Sequence, residues 1–120
     1  MFIESIFEFN TTLNQKNAQE LIKLGKMNYF GKGTPKNFSK TIEYYTKATD
    51  QNHASAKYNL GLMYANGKGV QQNYSKAIEY FTKAADKGHV NAQFTLGAIY
   101  YDGEKVQQNY SKAIEYYTSI

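Results

Sequence analysis

The 120-residue sequence contains no cysteine, no tryptophan and no arginine, and a single proline at Pro35. Without cysteine, disulfides and thiolate metal sites are excluded outright, and nothing demands an oxidising compartment. One proline suits a largely helical chain better than a loop-rich one. All 14 basic residues are lysine, so the planar fork with which arginine grips phosphate is missing. With 10 acids the formal charge is only +4, in mixed-sign segments and not in a basic stripe. Nucleic acid is therefore not an expected partner, although a weak anionic one stays open. No hydrophobic run reaches the length of a membrane span. The opening "MFIESIFEFN" is apolar, but it carries Glu4 and Glu8 and no basic n-region, so it does not read as a signal peptide. Together with the absence of cysteine, this is compatible with a cytoplasmic location.

What is present is aromatic and repetitive. The chain holds 12 Tyr and 7 Phe, and Tyr suits half-buried positions where the ring packs and the hydroxyl stays wet. "GVQQNYSKAIEYF", from Gly69 to Phe81, returns thirty-six residues later as "KVQQNYSKAIEYY", from Lys105 to Tyr117. A looser version, "GTPKNFSKTIEYY", stands one period earlier, from Gly33 to Tyr45. The expected organisation is one repeat domain: repeat one at 17–52, repeat two at 53–88 and an incomplete repeat three at 89–120. Repeats two and three agree at eighteen of thirty-two shared positions. A fixed period of a few tens of residues marks a solenoid, in which each unit buries its apolar face only against its neighbours.

Each repeat carries two helical patterns. In repeat two, Ala56, Leu60, Met63 and Tyr64 share one face of a helix A over about Ala54–Asn66. Tyr74, Ala77, Ile78, Phe81, Ala84 and Ala85 do the same for a helix B over about Asn73–Lys87. Between them "GKGV" offers two glycines able to take positive φ, and Asn73 is a suitable N-cap. Gly88, and Asn52 in repeat one, sit where a left-handed C-terminal residue is wanted. Gly25, Gly61 and Gly97 recur inside helix A; since mid-helix Gly costs about 1 kcal/mol against Ala, they predict close helix approach. Glu79 and Lys83 stand in the favourable i, i+4 order on a solvated face. Shifted by one period, Phe2, Ser5, Ile6 and Phe9 fall on Phe38, Thr41, Ile42 and Tyr45, so residues 1–16 are expected to form a degenerate helix B. About seven helices follow, beginning and ending halfway through a unit. Such a chain is an excerpt of a longer array, or its uncapped C-terminal end is free for self-association or another partner.

The pattern "A-x-x-x-L-G-x-x-Y", then "G-x-G-V", then "N-Y-x-K-A-x-x-Y-F-x-K-A-A-x-x-G-H" resembles the Sel1-like repeat family (SLR), relatives of the tetratricopeptide repeats. It is carried by Ala56, Leu60, Gly61, Tyr64, Gly67, Gly69, Val70, Tyr74, Lys76, Ala77, Tyr80, Phe81, Lys83, Ala84, Ala85, Gly88 and His89, and it covers residues 17–120. Repeat one departs at Asn28, Thr34 and Thr41, which replace the counterparts of Tyr64, Val70 and Ala77. Repeat three has Lys105 in place of Gly69. The resemblance implies an all-α, right-handed α-solenoid of helix-turn-helix repeats that acts as an adaptor for protein or peptide partners, with no catalysis and no cofactor. Some cysteine-rich bacterial relatives have been linked to β-lactam binding or hydrolysis, but their disulfide framework is absent here.

In tetratricopeptide relatives the A helices line the concave side. On the helical wheel the outward positions are Gln19, Ile22, Lys26, Tyr29 and Phe30 in repeat one; Ser55, Tyr58, Leu62, Ala65 and Asn66 in repeat two; and Asn91, Phe94, Ala98, Tyr101 and Asp102 in repeat three. The candidate partner-binding residues are Tyr29, Phe30, Tyr58, Leu62, Asn66, Asn91, Phe94, Tyr101 and Asp102. With helices ~8–10 Å apart and an extended peptide rising ~3.3 Å per residue, three A helices span about half a dozen peptide residues. Against this stands the reading that Tyr58 and Phe94 are inter-repeat core, since aromatics at helical spacing usually pack. A second function, a structural spacer within a larger array, stays open beside the adaptor.

Other motifs are explained by the repeat itself. His53 and His89 recur at one period without the further ligands a metal needs. The paired glycines lack the preceding strand of a phosphate-binding loop. Ser39, Ser75 and Ser111 have no base or orienting acid beside them. The N-x-[ST] sequons at Asn37, Asn73 and Asn109 are copies of one N-cap, and Asn10 begins a fourth.

Overall fold

The computed structural model describes residues 18–120, and the expected degenerate helix at 1–16 lies outside the described residues. Six α-helices and no strand occur among the described residues. They are α1 (18–30), α2 (Phe38–Thr49), α3 (Ala54–Asn66), α4 (Tyr74–Asp86), α5 (Val90–Asp102) and α6 (Tyr110–Thr118). The odd-numbered helices are the A helices of the repeat and the even-numbered ones the B helices. The described residues fall into two compact units, one ending at His53 and the other spanning Ala54–Ile120.

Every B helix starts on the same device. Asn37, Asn73 and Asn109 hold extended backbone, and each accepts a bond on its side-chain oxygen from the backbone N–H of Lys40, Lys76 or Lys112, at 3.0 Å in all three repeats. Each of these Asn residues also donates its own N–H back to the preceding A helix, to the carbonyls of Asn28, Tyr64 and Tyr100 at 2.7, 2.9 and 2.9 Å. The link is made by backbone, so it survives the change from Tyr64 to Asn28. α2 is followed by Asn52 at φ 62° and α4 by Gly88 at φ 82°, the left-handed residues that the sequence predicts there.

The A and B helices of a repeat meet where the A helix has glycine. A Cβ on Gly61 would stand 2.5 Å from Cε1 of Phe81 and 3.1 Å from the carbonyl oxygen of Ala77. A Cβ on Gly25 or Gly97 would stand 2.5 or 2.6 Å from the ring of Tyr45 or Tyr117. An aromatic ring on helix B therefore packs against bare backbone on helix A in all three repeats.

In the second unit, α3 packs on α4, α4 on α5 and α5 on α6. Its core is Ala77, Phe81, Ala84, Ala85, Ala92 and Leu96, so the B helix of repeat two and the A helix of repeat three share one hydrophobic cluster. The alanines let the backbones approach closely and Phe81 and Leu96 supply the bulk. In the first unit Tyr45 and Ala48 are buried beside two polar groups, Asn28 and Thr41. Thr41 donates to the carbonyl of Gly25 at 2.9 Å, and Asn28 donates its side-chain amide to the carbonyl of Leu24 at 2.9 Å. Two of the three departures that mark repeat one in the sequence are thus buried and satisfied by hydrogen bonds, as buried polar groups must be.

The turn after α5 differs from its two counterparts. After α1 and α3, Lys32 and Lys68 donate back to Met27 and Met63 at 3.0 Å, and Gly33 and Gly69 take φ 74° and 76°. After α5 only Gly103 is left-handed, bonding to Ile99 at 3.2 Å, and Lys105 does not take the positive φ of Gly69. A lysine Cβ disfavours that conformation. Its side chain instead carries the ammonium 4.4 Å from the centre of the Tyr74 ring, tying repeat three to repeat two.

Candidate partner-binding grooves on the A helices

The outward faces of two A helices form grooves at matching repeat positions. On α1, Gln19, Ile22, Lys23, Lys26, Met27 and Phe30, with Lys32 from the following turn, line a groove of about 400 Å³. On α5, Phe94, Thr95, Ala98, Ile99 and Asp102, with Glu104 and Lys105, line one of about 250 Å³. Six of the seven α1-groove positions, all but Gln19, fall on α5-groove residues two periods later. The spacing i, i+3, i+4, i+7, i+8 and i+11 along α1 is a single helical stripe.

The predicted residues divide among four environments. Phe30, Phe94 and Asp102 line the grooves, and Phe30 and Phe94 are 62% and 59% exposed. Tyr58 and Leu62 are half-buried against the core cluster of the second unit. Tyr58 packs on Phe81 at 5.5 Å and on the imidazole of His89 at 4.8 Å, and shares a hydrogen bond with the Thr95 hydroxyl at 3.3 Å. Tyr29 and Tyr101 turn toward the adjoining B helix: Tyr29 lies 5.2 Å from Phe38, and Tyr101 meets Tyr110 edge-on at 5.4 Å. Asn66 and Asn91 are exposed and line neither groove.

Lys23, Met27, Lys32, Thr95, Ile99, Glu104 and Lys105 line the grooves without standing among the outward positions of the helical wheel. Choosing only the residues opposite the Ala56, Leu60, Tyr64 face passed over the shoulder of the helix and the turn that closes the groove. The i, i+4 series from Gln19 through Lys23 to Met27 is the available signal.

His89 has a local structural role. Its Nδ1 accepts the backbone N–H of Ala92 at 3.2 Å and so caps α5, while its ring covers Tyr58. The Nδ1 of His53 is buried without a hydrogen-bond partner. Among the described residues no three metal-ligating side chains gather, and no helix is long and apolar enough to cross a membrane.

Lysines and tyrosines are layered at the junction of α3 with α4 and of α5 with α6. Tyr64 stacks on Tyr80 at 5.7 Å and Tyr100 on Tyr116 at 6.0 Å, with Lys76 and Lys112 above the A-helix rings at 5.0 and 4.8 Å. Burial, reinforced by Tyr64 or Tyr100, raises the phenols of Tyr80 and Tyr116 above the ordinary tyrosine value. These rings stay neutral at physiological pH and serve as packing.

The Sel1 repeat matches at residues 21–53, 54–89 and 90–119. The chain belongs to the Sel1 repeat family. A crystal structure of a Sel1 repeat protein from Oxalobacter formigenes is 32% identical with a TM-score of 0.81, the match covering 85% of this chain and 42% of that one. A protective antigen present in uropathogenic Escherichia coli strains, displaying an SLR fold, is 30% identical with a TM-score of 0.82 over 88% of this chain and 22% of its own. Helicobacter pylori cysteine rich protein B is 28% identical with a TM-score of 0.69, over 88% and 84% of the two chains. No curated protein matches the chain. The chain thus spans less than half the length of the first two structures. It is an all-α repeat protein of the SLR solenoid class, a class whose members generally serve as non-enzymatic protein-interaction scaffolds. It has this fold with no cysteine at all, so ring-on-glycine contacts, alanine-rich seams and Asn caps hold the helices without covalent help.

Proposed function

We propose that the chain is a non-enzymatic adaptor that holds a peptide or a protein surface along the outward, concave-side faces of its A helices. The observation that carries this is the recurrence of a groove at matching positions on α1 and α5, each with a large aromatic side chain left in solvent, Phe30 in one and Phe94 in the other. Exposed aromatics beside polar neighbours are the composition of protein-recognition surfaces. The chemistry of an enzyme finds less support, since Thr95, the one hydroxyl that lines either groove, shares its hydrogen bond with Tyr58.

Selection of a random-peptide library on the 120-residue chain tests the proposal. Enrichment that Phe30→Ser together with Phe94→Ser abolishes, at unchanged helical circular dichroism, is the expected result. Both residues are exposed, so their loss leaves the core intact. The spacer reading draws support from Tyr58, whose outward position is taken up by His89 and Thr95 of the next repeat. It predicts no enrichment by either protein.

A further inference from the structure

The two grooves share a register but not a charge. At the positions of Lys23 and Lys26 in α1, repeat three has Thr95 and Ala98 and repeat two has Asn59 and Leu62; where repeat one has Lys32, repeat three has Glu104. Lys23 and Lys26 are therefore no by-product of repeat copying. Residues 18–34 contain one acid, Glu20, which does not line the groove. Among the described residues the ion pairs are Glu43 with Lys47 and Glu79 with Lys83, so none of the three groove lysines is neutralised. Three lysines with no ion partner among the described residues thus line one groove together with Ile22, Met27 and Phe30. Long lysine stems can lie along such apolar walls while their heads stay in water, and several like charges about one concavity raise the local concentration of the opposite charge.

We propose that the α1 groove is the specificity site of this adaptor and takes an acidic peptide, one apolar side chain resting on Ile22, Met27 and Phe30 while flanking carboxylates meet Lys23, Lys26 and Lys32. The inference rests on the peptide-binding reading above and adds the chemistry of the peptide. A peptide is favoured over a phosphate polymer because the groove pairs its charges with apolar lining residues and offers no arginine fork for phosphate.

The test is fluorescence anisotropy of the full chain with a labelled hexapeptide alternating Glu and Leu, beside the same peptide with Gln for Glu. At low salt the Glu peptide is expected to bind at least tenfold more tightly, with the preference shrinking as salt rises. Lys23→Glu/Lys26→Glu/Lys32→Glu is expected to erase the preference. Lys40→Glu/Lys47→Glu/Lys87→Glu, at exposed sites outside the groove and with the same net charge, is expected to keep it. If the reversal unfolds the first unit, Gln at the same three lysines gives the same comparison. Equal weakening by both triple variants means net charge alone acts, and overturns the proposal. Equal binding of both peptides, lost with Phe30→Ser, overturns the acidic preference but leaves the adaptor reading standing; binding of neither overturns both. Competition by oligothymidylate or phosphatidylserine vesicles that exceeds the Glu peptide and needs the same lysines reassigns the groove to nucleic acid or membrane. A dimer in sedimentation velocity that the groove variant dissolves reassigns it to a second copy of the chain.

Discussion

Repeat one and repeat two solve the same packing problem with different chemistry. Where repeat two buries Ala77 against the backbone of Gly61, repeat one buries Thr41 and adds a hydrogen bond to the carbonyl of Gly25. Where repeat two stacks Tyr64 on Tyr80 beneath a lysine, repeat one has a buried amide, Asn28, bonded to its own helix. Where Phe81 fills the second unit, the larger and ionisable Tyr45 fills the first. The shared elements are the Asn cap, the backbone bond back to helix A and the ring against glycine. Those geometric elements define the repeat, and the side chains around them vary provided volume and hydrogen bonding are met.

The largest expected effect removes the ring that this comparison turns on. Phe81→Ala opens a cavity inside the six-residue cluster and should cost about 3–5 kcal/mol in urea unfolding. Next comes the glycine it covers. Gly61→Ala is expected to cost about 2–3 kcal/mol, because its Cβ meets the backbone oxygen of Ala77 as well as the ring. Gly25→Ala should cost less, since the nearest atoms there belong to the Tyr45 ring alone. Equal losses at the two sites would show that the ring and not the backbone sets the spacing.

Alkali separates the repeats further. Burial, and then the neighbouring Tyr29, pushes the Tyr45 phenol up to about 12, against an ordinary value near 10. The folded-state pKa is the higher one, so the stability linked to neutral Tyr45 is complete below about pH 10 and is lost as pH rises toward 12. The loss by pH 12 should reach about 2 kcal/mol. Tyr45→Phe, which makes repeat one like repeat two at this position, is expected to remove that part of the alkaline destabilisation; an unchanged pH profile in denaturant titrations would place Tyr45 in contact with water. The smallest effect concerns the hydroxyl of Thr41. Thr41→Ala should cost about 1 kcal/mol, and a neutral or stabilising result would make repeat one a worn copy of repeat two and not a rebuilt one.

Much of this architecture is legible locally. The boundaries of α3, the Asn caps, the left-handed Asn52 and the glycine row follow from patterns within a dozen residues, because capping, positive φ and helical periodicity are properties of short segments. The grooves were legible only in part. Tyr58 and Phe94 are the same position of the repeat and share the same helical face, yet one is covered by His89 and the other is left in solvent.

The sequence by itself determined the period, the helix pairs and their caps, since these depend on residue type and spacing alone, and its motifs carried the resemblance to the SLR family. Only the tertiary structure decided which outward residues become seam and which become groove, that Lys105 abandons the glycine conformation to cover Tyr74, and that Lys23, Lys26 and Lys32 line one groove with Ile22, Met27 and Phe30. Burial and charge convergence depend on what a neighbouring turn or helix places opposite a residue, and that neighbour is not written in the residue's own segment.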